Sequence, residues 1–237
     1  MSALSELQQH LARYWALPSH ENAELKAKLD EVQAWQRARI QQTHKDVFEQ
    51  KKNKPMANYF LTQLYGGDEF KLLAKQLERI LPKAKRLESL TKESVLQTGS
   101  MAIQAAILAI ELDMHLAQWF IDQKLEVNEE NMLAAHRAVD EAGARRTQIN
   151  NLKDVCYRTD KYLNSFILRK VFSLTKGTAY RHNFQPLYDF IDAGFVAMKP
   201  LDSVASFIEP FCERELMIID QVHSTDNDGN KSAFDVS

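Results

Sequence analysis

Apolar residues recur at helical spacing along almost the whole chain. In the first segment, one face of a helix that Ser2 can cap and Pro18 can end carries Leu4, Leu7, Leu11 and Tyr14. A second helix is predicted from about residue 19 to about residue 50, and the middle of its apolar stripe is polar, at Gln36 and Arg39. This pattern is typical of a packed helix and not of a coiled-coil seam.

Helix start and stop signals divide the next segment. Asn53 and Pro55 begin a short helix that is apolar almost all round, and Gly66 and Gly67 end it. A fourth helix follows, until Pro82 breaks or kinks it. We find no convincing strand pattern here or elsewhere in the chain.

The longest helix is predicted from Thr91 to about Gln123 and contains the most apolar stretch of the chain. Polar side chains interrupt that stretch, among them Glu111, Asp113 and His115. A membrane span tolerates such groups poorly. We therefore interpret the segment as the buried helix of a soluble protein and expect no transmembrane segment.

Helical spacing also covers the C-terminal half. Asn128 caps a helix whose pattern continues to about Lys170, with a bend expected near Gly143 or a break near residues 150–151. The remaining helices are predicted over residues 171–181, over residues 183–199 and after Asp202. From Ser224 onward the residues are polar and small, which predicts disorder.

These elements predict an all-α fold with one helical domain over residues 1–223 and a disordered C-terminal tail over residues 224–237. We expect a single compact domain of about eight to ten helices packed around the long central helix. The chain has only 7 glycines and 6 prolines in 237 residues, which favours long helices with few connections.

Charge and cysteine content exclude several classes of protein. The net charge of −2 supplies no global field for nucleic-acid binding. Two cysteines, Cys156 and Cys212, cannot form a disulfide framework, and the N-terminus lacks the pattern of a signal peptide. We therefore expect a cytoplasmic protein.

One stretch of the short third helix resembles a known signature. The residues Tyr59-Phe60-Leu61-Thr62-Gln63-Leu64-Tyr65, followed by Gly66, are similar to the motif of the bacterial FFLEELY-motif proteins. Three other stretches fit the layout of that family: residues 33–39, residues 146–149 and residues 190–195. The resemblance spans about residues 25–215 and implies an all-helical fold with no assigned activity.

The chain departs from the family signature at its centre, where the two acids are replaced by Thr62 and Gln63. If those acids carry acid–base chemistry or bind a metal, this chain lacks that ability. If the motif is a packing device, the replacements are tolerable surface changes. We expect Phe60 and Leu64 to be buried against the long central helix and Thr62 and Gln63 to lie on the wetter side.

The polar stripe of the long helix is the best candidate for chemistry. Its members fall within about 60° of one another on a helical wheel: Gln97, Gln104, Glu111, His115, Gln118 and Asp122. Glu111 and His115 stand four residues apart and could supply half a metal site. The alternative is the solvent face of an amphipathic helix. Asp113 lies opposite, amid apolar residues, and is expected to pair with an arginine or to cap backbone.

A second candidate lies in the helix that follows. Arg145 and Arg146 could bind a carboxylate or a phosphate, near His136 and Asp140. The alternative is ion pairing on a solvated helix, from Asp140 or Glu141 to Arg145. Two basic clusters, over residues 37–54 and 71–92, are interpreted as solvated faces, since no nucleic-acid motif accompanies them.

Two classes of function fit this pattern. The first is a non-catalytic helical protein that binds a protein partner or a small ligand. The second is a helical-bundle enzyme or a metal- or cofactor-binding protein that uses Glu111 and His115. No sequence motif assigns a catalytic residue, and we expect no cofactor. The sequence leaves the oligomeric state and enzymatic activity open.

Overall fold

Helices account for the secondary structure of this chain throughout the part that the structure describes. The structure is a computed structural model, and it describes residues 2–64, 67–83, 93–181, 185–224 and 232–235. Within those ranges there are eleven α-helices and no β-strand. The all-α class is therefore confirmed.

The helices are numbered here in chain order. They are α1 (Ala3–Trp15), α2 (Ala23–Thr43), α3 (Lys45–Phe48), α4 (Lys54–Tyr59), α5 (Gly67–Ile80), α6 (Glu93–Gln123), α7 (Glu129–Val139), α8 (Ala142–Leu163), α9 (Phe166–Arg181), α10 (Gln185–Met198) and α11 (Val204–His223). Two 3₁₀ turns, over Pro18–His20 and Leu81–Lys83, and a π-helical turn over Phe60–Leu64 complete the described elements.

Side-chain caps set several helix starts. Ser2, Asn22, Asn128 and Ser203 each accept a hydrogen bond from the backbone N–H three residues ahead. Helix α2 therefore begins after Asn22 and not near residue 19. The sequence predicts a bend near Gly143, but the structure has a break before that residue. Helix α7 ends there because Asp140 adopts the left-handed conformation (φ 52°).

The long helix α6 is central, since α1, α2, α7 and α8 all pack against it. One segment of the described residues, Gln97–Gln123, is long and apolar enough to cross a membrane by length and composition. However, 72% of its most apolar window is buried inside the protein. This is the arrangement of a core helix.

Two apolar clusters form the interior. The first joins α1, α2, α5, α6 and α7 with the end of α11, and its largest fully buried side chains include Phe70 and Phe120. The second joins α3, α4, α8, α10 and the first half of α11, around Phe207 and Phe211. Helices α2 and α11 run through both clusters, so their middle turns lie at the boundary.

The end of the chain differs from the disordered tail expected over residues 224–237. In residues 232–235, Ala233 and Phe234 are buried, and the Phe234 ring lies 5.0 Å from the Trp35 ring centroid. The Thr43 hydroxyl donates to the Phe234 carbonyl at 3.4 Å. Residues 232–235 therefore pack against the first cluster, and the disordered tail over residues 224–237 stays a prediction for the rest of that segment. Residues 225–231 lie outside the described residues.

Candidate functional site

The stretch that begins at Tyr59 and the stretch over residues 190–195 pack against each other. Tyr59, at the end of α4, is buried, and its hydroxyl donates to the Phe190 carbonyl of α10 at 3.2 Å. A Cβ added at Gly194 would lie 3.0 Å from the Tyr59 oxygen. Glycine therefore lets the tyrosine ring rest directly on the α10 backbone.

A π-helical turn follows Tyr59 immediately and covers Phe60–Leu64, the centre of the signature. Such turns are rare and frequently mark functional sites, because they shift the register of the side chains that follow. The expected burial of Phe60 is confirmed, but its location is not. The Phe60 ring packs on Phe207 and Phe211 of α11, at centroid distances of 6.0 and 5.1 Å, in the second cluster and not against α6.

The signature is only partly described. The Leu61 side chain is half-buried against the second cluster. The side chain of Leu64 and the whole of Tyr65 and Gly66 lie outside the described residues. The expectation for Leu64 therefore stays a prediction.

A cleft of about 570 Å³ opens between α4, the π-helical turn, α5 and α10. It is lined by Pro55, Asn58, Tyr59, Thr62, Gln63, Leu72, Leu73, Gln76, Asp189, Phe190, Ala193, Val196 and Ala197. The volume falls in the range of small-molecule sites, and the lining is mostly apolar with a few polar groups, as in such sites. The two motif stretches thus build one concave surface.

Thr62 and Gln63, at the centre of the stretch that begins at Tyr59, both line this cleft. Thr62 is exposed, as expected, and its hydroxyl donates to the Asn58 carbonyl at 2.8 Å. Gln63 is half-buried. The two positions therefore belong to the wall of a cleft, to which they contribute a hydroxyl and an amide without charge.

Two further polar side chains of the cleft wall differ in their hydrogen bonding. Asp189 accepts a hydrogen bond from the Tyr180 hydroxyl at 2.7 Å, which raises the pKa of Tyr180. Gln76 Oε1 is buried and has no hydrogen-bond partner among the described residues. A buried acceptor without a donor costs free energy. Gln76 also lines the cleft, so its amide is a polar group at the cleft wall whose oxygen is buried in this conformation.

Sequence reasoning missed a second polar constellation, which lies at the boundary of the two apolar clusters. Glu215 of α11 is buried and forms a salt bridge with Arg39 of α2. His44 Nε2 lies 2.7 Å from the same carboxylate. Burial by itself raises the pKa of Glu215, but the Arg39 guanidinium and the His44 ring outweigh it and hold the pKa at about 2. Glu215 therefore remains ionised.

The network continues to α7 through neutral groups. Arg39 donates to Gln36 Oε1 at 3.2 Å, and Gln36 Nε2 lies 3.4 Å from His136 Nε2. Burial, together with the positive charges of Arg145 and Arg39, lowers the pKa of His136 well below its usual 6.5. The sequence gives one indication of this network. Gln36 and Arg39 lie on the buried face of α2, at positions where a packed helix usually carries apolar residues.

Glu111 and His115, the two residues of the proposed metal site, bond to different partners. Glu111 is buried, and both its carboxylate oxygens accept hydrogen bonds from the Arg13 guanidinium. His115 is exposed, and its Nδ1 lies 2.8 Å from Glu141 Oε1. No group of three or more histidines, cysteines and acids in the described ranges could hold a metal ion. The metal site at Glu111 and His115 stays a prediction, and it would require Glu111 to leave Arg13.

Arg145 and Arg146, the two residues of the proposed anion site, also bond to different partners. Arg145 points inward and donates to the fully buried Asp113 at 2.8 Å, so the expected arginine partner of Asp113 is Arg145. Arg146 pairs with Asp220 of α11 at the surface. Glu141 lies within bonding distance of His115, and Asp140 lies 3.5 Å from His223, so each of the two acids has a histidine neighbour. Anion binding by Arg145 and Arg146 stays a prediction.

The two cysteines are both free and buried. Burial raises the pKa of Cys156 and of Cys212 to about 12. Neither thiol is therefore ionised near neutral pH, and neither is an activated nucleophile.

Comparison with known proteins identifies a family. A family model described as a domain of unknown function, DUF8198, matches residues 16–229. No curated protein and no solved structure matches the chain. The family match includes both motif stretches that build the cleft and all members of the buried network.

Proposed function

The chain belongs to the DUF8198 family, and from this premise we propose that it is a non-catalytic binding protein that holds a small ligand in the cleft between α4, α5 and α10. The observation that carries the proposal is that two separate motif stretches, around Tyr59 and around Gly194, meet to form this cleft. Packing of Tyr59 on the α10 backbone orders the wall before a ligand arrives, and preorganisation of that kind favours binding.

The lining indicates the class of ligand. Most of the wall is apolar, and its described lining residues include one acid, Asp189, and no lysine or arginine. An anion would therefore meet no compensating charge there. We infer a neutral, mostly apolar molecule that carries a hydrogen-bond donor, which Gln76 Oε1 would accept once that side chain rotates from its buried position toward the cleft.

The departure from the family signature supports this choice. Acids at positions 62 and 63 would place two further negative charges on the wall and favour a cationic ligand. With Thr62 and Gln63 in their place, the wall retains hydrogen-bonding groups without those charges. In this proposal the chain is a bacterial FFLEELY-motif protein of the cytoplasm, and the two buried, unpaired thiols fit a reducing compartment.

The test uses N-phenyl-1-naphthylamine, a neutral apolar dye with one N–H donor whose emission rises in apolar surroundings. We expect saturable binding to the purified protein. Ala193→Trp places a large side chain in the cleft at an exposed position of α10 and should weaken dye binding at least tenfold. Met217→Trp, at an exposed position of α11 outside the cleft, is the matched control and should bind as the wild type does.

Equal dye affinity in wild type and Ala193→Trp would place the binding site elsewhere and overturn the proposal. Absence of saturable binding would overturn the inferred ligand class. Mass spectrometry under non-denaturing conditions identifies the native ligand, because a molecule that co-purifies with the wild type should be lost from Ala193→Trp and retained by Met217→Trp.

A further inference from the structure

Helix α9, remote in sequence from α4 and α5, carries an unusual concentration of exposed apolar side chains. Phe166 is 70% exposed, Leu174 is 72% exposed and Tyr180 is 38% exposed. These are three of the seven large apolar side chains exposed within the described residues. The helix packs against α8 and α10 on one side, and the opposite side has no cover among the described elements.

The same helix is strongly basic. It contains no acid and four exposed cations: Arg169, Lys170, Lys176 and Arg181. None of the four forms a salt bridge with a described carboxylate, so the concentration of cations on a helix without acids is what sets α9 apart. Lys176 lies 5.5 Å from the centroid of the Tyr180 ring and 5.8 Å from that of Tyr188 in α10. No carboxylate of α9 itself offsets the four positive charges, and Asp189 of α10, which accepts from the Tyr180 hydroxyl, lies at the edge of the cluster.

The apolar and basic side chains share one face. At about 100° per residue, Phe166, Lys170, Leu174 and Arg181 fall within about 80° of one another, and the other exposed cations and Tyr180 flank them. Sixteen residues give the helix a length of about 24 Å. This exposed side, defined by Phe166, Leu174, Tyr180 and the four cations, is called the α9 basic face.

We propose that the α9 basic face binds the surface of a bilayer that contains anionic lipids. Phosphate and carboxylate headgroups would pair with the four cations, while Phe166 and Leu174 enter the boundary between headgroups and acyl chains. A second copy of this chain is a poor occupant, because a symmetric contact would place four cations against four. A nucleic acid would meet the cations but would leave the aliphatic Leu174 without an apolar partner.

The experiment is vesicle flotation with the full chain, using phosphatidylcholine vesicles with and without 30% phosphatidylserine. We expect the protein to float only with the anionic vesicles and to be released by high salt. Each basic residue near an anionic surface contributes roughly fivefold to the partition coefficient. Lys170→Gln with Arg181→Gln should therefore lower the partition coefficient by roughly 25-fold, and Phe166→Ser with Leu174→Ser should also lower it.

Matched control variants distinguish vesicle binding by the α9 basic face from nonspecific adsorption to the vesicles. Lys26→Gln removes a paired surface cation, and Met217→Ser removes an exposed apolar side chain on α11. Both should float as the wild type does. All substituted side chains of α9 are exposed, so circular dichroism and the unfolding midpoint should be unchanged.

Three outcomes would overturn the proposal. These are wild-type protein that stays unbound at low salt, α9 variants that float as well as the wild type, and tight binding of a single-stranded oligonucleotide without vesicle binding. A label on Leu174→Cys gives independent support if its emission shifts to the blue with anionic vesicles. The buried thiols of Cys156 and Cys212 should react slowly with the label.

Discussion

At the scale of single residues, three buried carboxylates each have an arginine from another helix. Glu111 pairs with Arg13, Asp113 with Arg145 and Glu215 with Arg39. A charge removed from water is tolerated only if it is paired and hydrogen-bonded. These pairs therefore constrain which helices can be neighbours, and Glu215 constrains most, since it also bonds to His44.

Glu215→Gln should destabilise the protein by about 3–5 kcal/mol, because it leaves the Arg39 charge buried without its partner. Asp46→Asn is the control, since it breaks the more exposed pair with Arg214 and should cost less than about 1 kcal/mol. The measurement is the free energy of unfolding in urea. A cost of Glu215→Gln as small as that of the control would show that the buried network contributes little to stability.

At the scale of elements, the position of α4 on α10 depends on a close approach. The Tyr59 ring rests where a side chain of residue 194 would otherwise stand, and its hydroxyl bonds to a carbonyl of the same helix. The π-helical turn then directs Phe60 toward α11. One short helix thus joins two longer ones and forms part of the cleft wall.

Gly194→Ala should destabilise the protein by about 1–3 kcal/mol, because its Cβ would lie 3.0 Å from the Tyr59 oxygen and force the ring away. Gly177→Ala, in the interior of α9 with no atom within 4 Å of the added Cβ, should instead stabilise by about 0.5–1 kcal/mol. Thermal unfolding compares the two. We also expect Gly194→Ala to weaken dye binding in the cleft. If both variants were stabilised alike, the close contact with Tyr59 would not matter.

At the scale of the whole molecule, a layer of polar side chains lies between two apolar clusters. Helix α2 contributes Leu25 and Leu29 to the first cluster and Ile40 to the second, with Gln36 and Arg39 between them. Helix α11 has Glu215 in the corresponding place. Because the groups of this layer titrate differently when folded and unfolded, stability depends on pH.

The free energy of unfolding should fall with decreasing pH in two windows. Below pH 6.5 the unfolded chain binds a proton at His136, whereas the folded protein does not, because burial lowers the pKa of this ring. Protonation therefore favours the unfolded state. The pKa values of His10, His20 and His223 are also lowered, chiefly by burial, and act in the same direction. Between pH 4.5 and pH 2 protonation of Glu215 removes about 3 kcal/mol more.

Urea unfolding at a series of pH values checks this expectation. His136→Gln should reduce the decline that begins below pH 6.5 and leave the part that His10, His20 and His223 contribute. The second window should persist in this variant. A wild-type stability that is constant from pH 7 to pH 5 would contradict the lowered pKa of His136.

Much of the fold follows from local features of the sequence. The spacing of apolar residues predicts the helices, and capping residues such as Asn128 and Ser203 mark their starts, because capping needs only groups a few residues apart. The pairing of Asp113 with an arginine was likewise expected, since a charge amid apolar residues requires a partner. The identity of that partner, Arg145, was not, because it lies on another helix.

The sequence by itself determined that the chain is all-α, that the longest helix is central, and that the motif around Tyr59 carries a buried Phe60. Only the tertiary structure decided that Phe60 packs on α11, that Glu111 and His115 have separate partners, that Phe234 is buried, and that two motif stretches meet at Gly194. The reason is physical: periodicity and capping act within a few residues, whereas ion pairs, close approaches and clefts depend on which distant helices become neighbours.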